Sequence, residues 1–380
     1  MKIAFAMGFY LKSPSTLKPG KSKFQQGGAE IQVSYIIDEL QKNGHEIVYL
    51  KLGDENKKEP EMVNDDFRLY TVKKPYKGLN LLHHLNRAHI NTILESEKPD
   101  ILYQRGDFVY SDLISSYGYE NNIPVVSGLS MERHCHKEKI NFNHMFLINI
   151  IDRILKTRYY DRSSLIVFQS EEQRSKFKRN FGKDGVIIGN GHPIPSGPFV
   201  KNPRPTIIWV GNIKPIKQVE IYIQAARKLM NYDIDFLCIG QPGIGDYHDR
   251  VRSQFEGLEN FHYLGELPLE ETNELIGRSV LLVNTSSSEG FSNTFIQAWL
   301  RETPVLSLNS NPDGILTREG IGYHAGTEDR LTNIIKKISN NPEERKIMGK
   351  KAREYAVEKY DINLITKQYI SEFNKLLTAE

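Results

Sequence analysis

Short apolar runs alternate with longer amphipathic stretches along the chain, and this alternation restricts the fold more than any other feature of the sequence. Short strands that alternate with helices are typical of repeated βα units, which build parallel sheets. In the first half the pattern predicts strands at Lys2–Met7, Glu46–Leu50, Arg68–Val72, Ile101–Tyr103, Pro124–Ser127, Leu165–Phe168 and Val186–Ile188. In the second half it predicts strands at Thr206–Val210, Ile234–Ile239, Asn260–Leu264, Val280–Asn284 and Pro304–Leu308, with helices near 217–231, 268–277 and 293–302. The predicted fold class is α/β, with two parallel sheets.

A stretch rich in proline and glycine, between Pro193 and Pro205, separates the two series and cannot form the interior of a helix or strand. A chain of 380 residues is also longer than one ordinary domain. We therefore predict a Rossmann-like first domain at 1–195, a linker at 196–205, a Rossmann-like second domain at 206–355 and a C-terminal helix at 356–380. Two such domains would face each other across a cleft, with ligands at the carboxyl ends of the strands.

The composition excludes several classes of protein. Lysine and arginine number 50 against 47 acidic residues, a net charge of +3 that gives no signal for nucleic-acid binding. No run approaches the roughly 20 apolar residues of a membrane span, and the short apolar start reads as a first strand rather than a signal peptide. The only cysteines are Cys135 and Cys238, which favours a reducing, cytoplasmic location.

The segment Ile140–Arg162 mixes large apolar residues with lysine and arginine. Two interpretations stay open for it. A helix of this kind usually packs on its own domain, and we favour that interpretation. The alternative is peripheral association with an anionic membrane, on the inner face of the plasma membrane.

The motif with the most chemistry is the segment from Asn284 to Trp299. An apolar strand ends in consecutive hydroxyl residues, and Glu289, Gly290 and a helix follow. A carboxylate accepts hydrogen bonds from hydroxyl groups such as those of a sugar, and the N-terminus of a helix favours a phosphate. Capping residues beside a surface glutamate would not explain so many hydroxyls at a strand end, so we predict a binding site here.

A second strand end carries two lysines, Lys214 and Lys217, just before a helix. They could hold a diphosphate as point charges, although lysines in a turn are often merely solvated. A third turn, with Gly27 and Gly28, enters the first helix and would by itself be an ordinary tight turn. It lacks the glycine spacing of a dinucleotide site, so hydride transfer has no support.

Two residues of the first half are weaker candidates. Arg105 follows a predicted strand, where it would meet an acceptor or a phosphate, or else lie on the surface. His134 lies beside Cys135 and His136 in a group that resembles a metal site, but no fourth ligand has suitable spacing. We predict no metal site and no cofactor.

Taken together, these motifs resemble the retaining, nucleotide-sugar-dependent glycosyltransferases of family 4, which have the GT-B fold, and the resemblance extends over essentially the whole chain. The turn at Gly27 and Gly28 resembles the family's first glycine loop. The segment 210–217 resembles its diphosphate site, and Glu289-Gly-Phe resembles the start of its two-glutamate signature. The strands at 236–240 and 263–265 resemble those that flank the base pocket, and the last helices resemble the segment that crosses back onto the first domain.

The chain departs from the family pattern at three positions. Asn212 stands where the family usually has arginine, Gln218 where it usually has glycine, and Gln297 where it has the second glutamate, which holds the ribose. The resemblance implies that Glu289 and Lys217 are catalytic. The predicted substrate-binding residues are Gly27, Gly28, Arg105, His134, Asn212, Lys214, Gly240, Leu264, Gly265, Glu266, Leu267, Gly290, Phe291, Ser292, Asn293 and Gln297.

The activity that the resemblance implies is transfer of a sugar from a nucleoside-diphosphate sugar to a hydroxyl acceptor, with retention at the anomeric carbon. The donor is then a substrate, and the acceptor would be a saccharide or a lipid-linked saccharide, in polysaccharide or glycolipid assembly. Two alternatives stay open: a nucleotide-sugar epimerase with the GT-B fold, and a catalytically silent scaffold that binds the sugar nucleotide.

Overall fold

The computed structural model describes residues 1–7, 28–74, 84–106, 110–137, 146–243 and 246–378. These residues form two compact units. Apart from the gaps just given, the first unit holds residues 1–191 and 362–378, and the second holds His192–Asp361. Each unit has its own largely parallel sheet with buried side chains on both faces, so the predicted α/β class is confirmed.

The sheet of the first unit consists of β1 (Lys2–Ala6), β2 (Glu46–Gly53), β3 (Glu61–Asn64), β4 (Phe67–Lys73), β5 (Ile101–Arg105), β6 (Val125–Gly128), β7 (Leu165–Phe168) and β8 (Val186–Ile187). The strand order is β3-β4-β2-β1-β5-β6-β7-β8, and only the pair β3–β4 is antiparallel. Strand β3 was not predicted from the sequence, because its residues are mostly exposed and form no apolar run.

The helices of the first unit are α1 (Gly28–Lys42), α2 (Arg87–Glu97), α3 (Ser111–Glu120), α4 (Phe146–Asp161), α5 (Glu171–Phe181) and, from the end of the chain, α13 (Ile362–Thr378). Helices α1 and α13 pack on one face of the sheet, where Tyr369 and Phe373 are fully buried. Helices α2 and α3 cover the other face.

The second unit has six parallel strands: β9 (Thr206–Val210), β10 (Asp235–Ile239), β11 (Phe261–Gly265), β12 (Leu281–Asn284), β13 (Val305–Ser307) and β14 (Gly322–His324). Their order is β11-β10-β9-β12-β13-β14. The helices are α6 (Val219–Lys228), α7 (Asp246–Phe255), α8 (Leu269–Arg278), α9 (Asn293–Trp299), α10 (Ile315–Arg318), α11 (Glu328–Ser339) and α12 (Pro342–Tyr360). Strand β14 was not predicted from the sequence, because it is only three residues long and begins with a glycine.

The stretch predicted to be a linker packs on the second unit. The ammonium group of Lys201 donates hydrogen bonds to the carbonyls of Gly277 and Arg301, both at 3.0 Å, and to Oγ1 of Thr303 at 2.7 Å. The unit boundary lies at 191/192, before the proline-rich stretch, instead of at 195. Composition predicts where helices and strands are broken, but it does not predict that one half-buried lysine fixes the segment.

The second boundary also differs from the predicted position at 356. Ala356 is fully buried in the core of the second unit, and Tyr360 stacks on Trp299 with ring centroids 6.1 Å apart. Helix α12 therefore belongs to the second unit through its last turn, and the boundary falls at 361/362. The amide of His192 donates to the carbonyl of Tyr360 at 2.8 Å, so both boundaries of the second unit lie side by side.

Helix α4 lies in the segment considered for membrane association, of which residues 140–145 fall outside the described residues. Several of its basic residues contact other parts of the first unit, to which the helix belongs. Arg158 and Arg162 lie 3.7 and 3.6 Å from the buried carboxylate of Asp112, and Lys156 donates to the carbonyl of Arg133 at 3.3 Å. Within the described ranges, no helix combines the length and the apolar character of a membrane span.

Candidate active site

The loops that follow β9, β12 and β13 meet at one edge of the second unit's sheet. These strands are neighbours and parallel, so their carboxyl ends lie together. Glycine permits the backbone to close in at this edge, because a Cβ on Gly240 would lie 1.8 Å from the carbonyl oxygen of Gly211. The ends of β9 and β10 are thus held in direct contact, and the loop after β9 starts from a fixed point.

Backbone and hydroxyl hydrogen bonds fasten the loop after β9 to the loop after β12. A short 3-10 turn, Pro215–Lys217, ends the first loop. The amide of Ser287 donates to the carbonyl of Ile216 at 2.9 Å, and Oγ1 of Thr285 donates to the carbonyl of Lys217 at 2.7 Å. The hydroxyl residues that the sequence places after β12 therefore position Lys217.

Glu289 lies at the centre of the site. Its Oε1 accepts hydrogen bonds from Nζ of Lys217 at 2.5 Å, from Oγ of Ser286 at 2.7 Å and from Nδ2 of Asn284 at 3.3 Å. Its Oε2 has no partner among the residues that the structure describes, and the side chain is 14% exposed. An ionised carboxylate with one occupied and one open oxygen can accept further hydrogen bonds from ligand hydroxyls.

The residues after Glu289 divide between the site and the core. Gly290 and Ser292 are partly exposed, while the ring of Phe291 packs 5.3 Å from that of Tyr360. The imidazole of His192 also contacts this segment: its Nε2 lies 3.4 Å from Oδ1 of Asn293. Because the ring of Phe291 is buried, a ligand would contact this residue through its backbone.

Gln297, where the sequence departs from the family pattern, lies on α9 and is 4% exposed. Its backbone carbonyl accepts from Arg301 at 3.1 Å, but its side-chain amide has no hydrogen-bond partner among the described residues. A structural core glutamine would satisfy its amide within the protein. The ribose contact that the resemblance implies stays a prediction, and this open amide is compatible with it.

Two further groups of predicted residues lie at the same edge. Lys214 is exposed and Asn212 is half-buried, both in the loop after β9. At the ends of β10 and β11, the hydroxyl of Tyr263 donates to the carbonyl of Gly240 at 3.0 Å, and Gly265 has a φ of +71°. The remaining predicted residues of this group flank Gly265 and are at least partly exposed: Leu264, Glu266 and Leu267.

The predicted residues of the first unit are placed differently. Gly27 lies outside the described residues, and Gly28 is the first residue of α1. Arg105 is only 3% exposed, and it donates to Oδ1 of Asn190 at 2.5 Å and to the hydroxyl of Tyr103 at 3.4 Å. His134 is buried, and its Nδ1 accepts from two backbone amides at 3.3 Å. Their substrate contacts stay predictions.

Several residues around the site were not assigned roles from the sequence. Asn284 and Ser286 hold Glu289, and Asn309 donates from Nδ2 to the carbonyl of Ser286 at 3.1 Å and to Oε1 of Gln218 at 3.4 Å. Asn309 is the second residue after β13, so the rule that ligands lie at strand ends would have identified it. His192 follows no strand of the second unit, and the sequence carries no signal for it.

No group of histidine, cysteine and acidic residues suited to a metal ion occurs in the described part of the chain. The sequence does contain one Asp-x-Asp pair, Asp233 and Asp235. It stands at the amino end of β10, at the sheet edge opposite Glu289, and both carboxylates pair with Arg204 at 2.9 and 3.2 Å.

Comparison with known proteins gives a family match for residues 195–355, to the model described as glycosyl transferases group 1. A curated relative from Staphylococcus aureus (strain COL), the poly(ribitol-phosphate) alpha-N-acetylglucosaminyltransferase, is 22% identical over 219 residues. These residues make up 55% of this chain, which spans only 43% of the relative's length.

Two solved structures share the fold over nearly the whole chain. Sucrose-phosphate synthase from Thermosynechococcus elongatus has a TM-score of 0.78 at 13% identity, covering 100% of both chains. HepE from Anabaena, crystallised with UDP and glucose, has a TM-score of 0.72 at 18% identity, covering 99% of this chain and 100% of its own. The second unit is thus similar to the glycosyl transferases group 1 model, and the architecture of the chain is the GT-B fold.

Proposed function

We propose that the chain is a glycosyltransferase that moves a sugar from a nucleoside-diphosphate sugar to a hydroxyl acceptor, with retention at the anomeric carbon. The observation that carries the proposal is the pair of Lys217 and Glu289, joined at 2.5 Å at the carboxyl edge of a group 1 domain. The pair presents a cation for a diphosphate beside a carboxylate for sugar hydroxyls.

Departure of the nucleoside diphosphate is the step that needs most stabilisation, because negative charge builds up on its oxygens. Lys217 is 27% exposed and is fixed in place by Glu289 and by Thr285. Its positive charge is therefore preorganised for the diphosphate oxygens. Preorganised charge of this kind needs no rearrangement as the bond breaks. Lys214, exposed three residues earlier, would add a second positive charge.

Glu289 would orient the donor sugar through its open Oε2. The cluster around Lys217 contains one carboxylate, whereas retention by double displacement uses a pair of carboxylates. We therefore propose that the acceptor hydroxyl attacks from the face that the diphosphate leaves, and that a phosphate oxygen of the leaving group takes the proton.

The comparisons support the classes of donor and acceptor. HepE was crystallised with UDP and glucose, and the staphylococcal relative is named for transfer to poly(ribitol-phosphate). For this chain we propose a nucleotide-sugar donor and a saccharide or lipid-linked acceptor of polysaccharide or glycolipid assembly, on the cytoplasmic side of the membrane.

A donor panel tests the proposal. Purified chain is incubated with UDP-, GDP- and ADP-sugars, with and without saccharide acceptors, and products are followed by mass spectrometry and by the anomeric proton couplings in NMR. We expect one donor to be consumed, with an acceptor-linked product of unchanged configuration. Conversion of the sugar without acceptor would indicate an epimerase, and binding with release of intact donor would indicate a scaffold. An inverted product would contradict retention.

A further inference from the structure

The indole of Trp209, on β9, is connected to the candidate site by buried hydrogen bonds. The side chain lies in the core of the second unit, where it is 2% exposed. Its Nε1 donates a hydrogen bond to Oγ1 of Thr285 at 3.0 Å. Thr285 follows β12 and is fully buried, and its hydroxyl donates to the carbonyl of Lys217 at 2.7 Å. Two hydrogen bonds in series therefore join the core to the backbone of Lys217.

The chemistry of the three groups fixes the direction of both hydrogen bonds. An indole N–H can only donate and a carbonyl oxygen can only accept, whereas a hydroxyl does both with a single hydrogen. The hydroxyl of Thr285 therefore accepts from Trp209 and directs its hydrogen to Lys217. Because water does not compete in the interior, these hydrogen bonds hold the backbone more firmly than exposed ones would.

The same loop has a second connection to the loop after β12, and that one is exposed. The carbonyl of Ile216 accepts from the amide of Ser287 at 2.9 Å and from its hydroxyl at 3.2 Å, but Ser287 faces solvent. The indole also supports the start of the loop, because a Cβ on Gly211 would lie 3.2 Å from Cη2 of Trp209. Trp209 thus contacts the loop after β9 at its first residue and acts, through Thr285, on Lys217.

The second tryptophan of the chain shows that filling the core does not explain this arrangement. Trp299 is also fully buried in the second unit, yet its Nε1 has no hydrogen-bond partner among the residues that the structure describes. A buried indole in this unit can therefore pack without donating. Donation from Trp209 to the hydroxyl that holds Lys217 is a separate property of that position.

We propose that Trp209 is a positioning residue for the transfer reaction: through Thr285 it fixes the backbone of Lys217, and with it the ammonium group beside Glu289. The inference rests on the proposed function, because that function gives Lys217 its role. The ammonium lies at the end of a flexible four-carbon stem, so a shift of the backbone would move the charge relative to the departing diphosphate. Misplacement of a preorganised group slows a reaction even when the group itself is retained.

Variants at two positions and one matched control test the proposal. Trp209→Phe keeps an aromatic ring in the core and removes the N–H group. Thr285→Val keeps the branched shape and removes the hydroxyl, whereas Thr285→Ser keeps the hydroxyl. The control is Tyr222→Phe, which removes another aromatic donor from the same core, since the hydroxyl of Tyr222 donates to the carbonyls of Ile207 at 2.9 Å and Leu237 at 3.1 Å.

The values of kcat and KM are measured with the donor selected by the panel, and folding is followed by circular dichroism. We expect Trp209→Phe and Thr285→Val each to lower kcat about tenfold, with a smaller change in donor KM because the charge of Lys217 remains. Thr285→Ser should keep most of the wild-type kcat. The variant that combines Trp209→Phe with Thr285→Val should be no slower than Thr285→Val alone, because both changes act through one hydroxyl. Tyr222→Phe should lower the melting temperature and leave kcat unchanged.

An unchanged kcat in folded Trp209→Phe, with wild type active, overturns this proposal alone. A lower melting temperature without loss of kcat would assign the indole a packing role and also overturn it. Equal losses of kcat in Trp209→Phe and Tyr222→Phe would attribute the effect to a weakened core, and losses that add up in the combined variant would contradict the route through Thr285. If wild type turns over no donor of the panel, the proposed function fails, and this inference fails with it.

Discussion

The two units have the same kind of sheet, but their carboxyl edges differ. In the second unit the edge carries a partly exposed ion pair, Lys217 with Glu289, surrounded by hydroxyl and amide groups. In the first unit the corresponding strand end carries Arg105, which is 3% exposed and bound by neutral oxygen atoms of Tyr103 and Asn190. Charge at a strand end is thus partly exposed in one unit and enclosed in the interior in the other.

The difference separates two roles that a strand-end charge can have. An exposed pair with open hydrogen-bonding groups can change partners when a ligand arrives, whereas a buried guanidinium is held by what surrounds it. We therefore expect changes at the second unit's edge to alter turnover and changes at Arg105 to alter stability. Tryptophan fluorescence reports on the second unit in particular, because both tryptophans of the chain, Trp209 and Trp299, lie there.

The largest effect is expected for Glu289→Ala. The substitution removes the carboxylate that fixes Lys217 and that would hold the sugar, and loss of one preorganised polar contact at a reacting centre costs about 3 kcal/mol, or roughly a hundredfold in rate. Turnover and melting temperature are measured together, with Glu270→Ala on the exposed face of α8 as the control. Wild-type rates in a normally folded Glu289→Ala protein would place the site elsewhere.

A pH effect of similar size is expected at His192. Burial lowers the pKa of this imidazole to about 4, against an ordinary value of 6.5 in the unfolded chain. The unfolded chain binds the proton first, so stability falls as the pH drops from 6.5 to 4, by about 3 kcal/mol in all. Urea unfolding followed by tryptophan fluorescence should show that the free energy of unfolding falls less between pH 6.5 and pH 4 in His192→Gln than in wild type. The exposed His262 gives the control variant, His262→Gln. Equal acid loss in wild type and His192→Gln would exclude His192 as its source.

At the first unit's edge, Arg105→Gln should cost about 2 kcal/mol of stability, because it removes the hydrogen bonds that the buried guanidinium donates to Asn190 and Tyr103. Circular dichroism should detect the loss, while donor affinity stays at the wild-type value. Arg105→Lys keeps the charge and should recover part of the stability. Donor or acceptor affinity that collapses in a stable Arg105 variant would instead support the substrate contact predicted from the sequence.

A smaller effect is expected for Gln297→Ala. If the open amide of Gln297 faces the ribose, its removal should weaken donor binding by about 1–2 kcal/mol, roughly tenfold in KM, with little change in melting temperature. Gln297→Glu keeps a hydrogen-bond acceptor and nearly the same side-chain shape. We therefore expect this variant to retain most of the activity. An unchanged donor KM in a stable Gln297→Ala enzyme would remove the residue from the site.

No effect is expected from chelation of divalent metals. In our account the charge of the diphosphate is met by Lys217 and Lys214, so turnover after exhaustive treatment with EDTA should equal that of untreated enzyme. Collapse of turnover that magnesium or manganese restores would show that a metal shares this task.

Much of the second unit could be predicted because its signals are contiguous. The segment from Asn284 to Trp299 contains strand, loop, carboxylate and helix in sequence, so the strand-end rule placed Glu289 at the edge where the structure has it. Lys217 follows the neighbouring strand and was found in the same way. The contact of its ammonium group with Glu289 depends on hydrogen bonds between two loops about 70 residues apart in sequence. A local sequence pattern does not contain such a contact.

The remaining differences come from tertiary packing. Burial of Arg105 depends on residues such as Asn190, 85 positions away, and the end of α12 at Tyr360 depends on its stacking with Trp299. The half-buried Lys201, which holds the proline-rich stretch, is an ordinary lysine in the sequence. Apolar periodicity predicts that a helix exists, but which unit it packs on is decided by contacts distant in sequence.

We expect the donor to bind at the carboxyl edge of the second unit through Lys217. Calorimetric titration of the donor selected by the panel, into wild type and Lys217→Met, tests it most directly, since methionine keeps the aliphatic stem and removes the charge. We predict that Lys217→Met binds the donor and its free nucleoside diphosphate at least tenfold more weakly, with an unchanged fluorescence melting curve. Equal Kd values for the two folded proteins would show that Lys217 does not bind the donor.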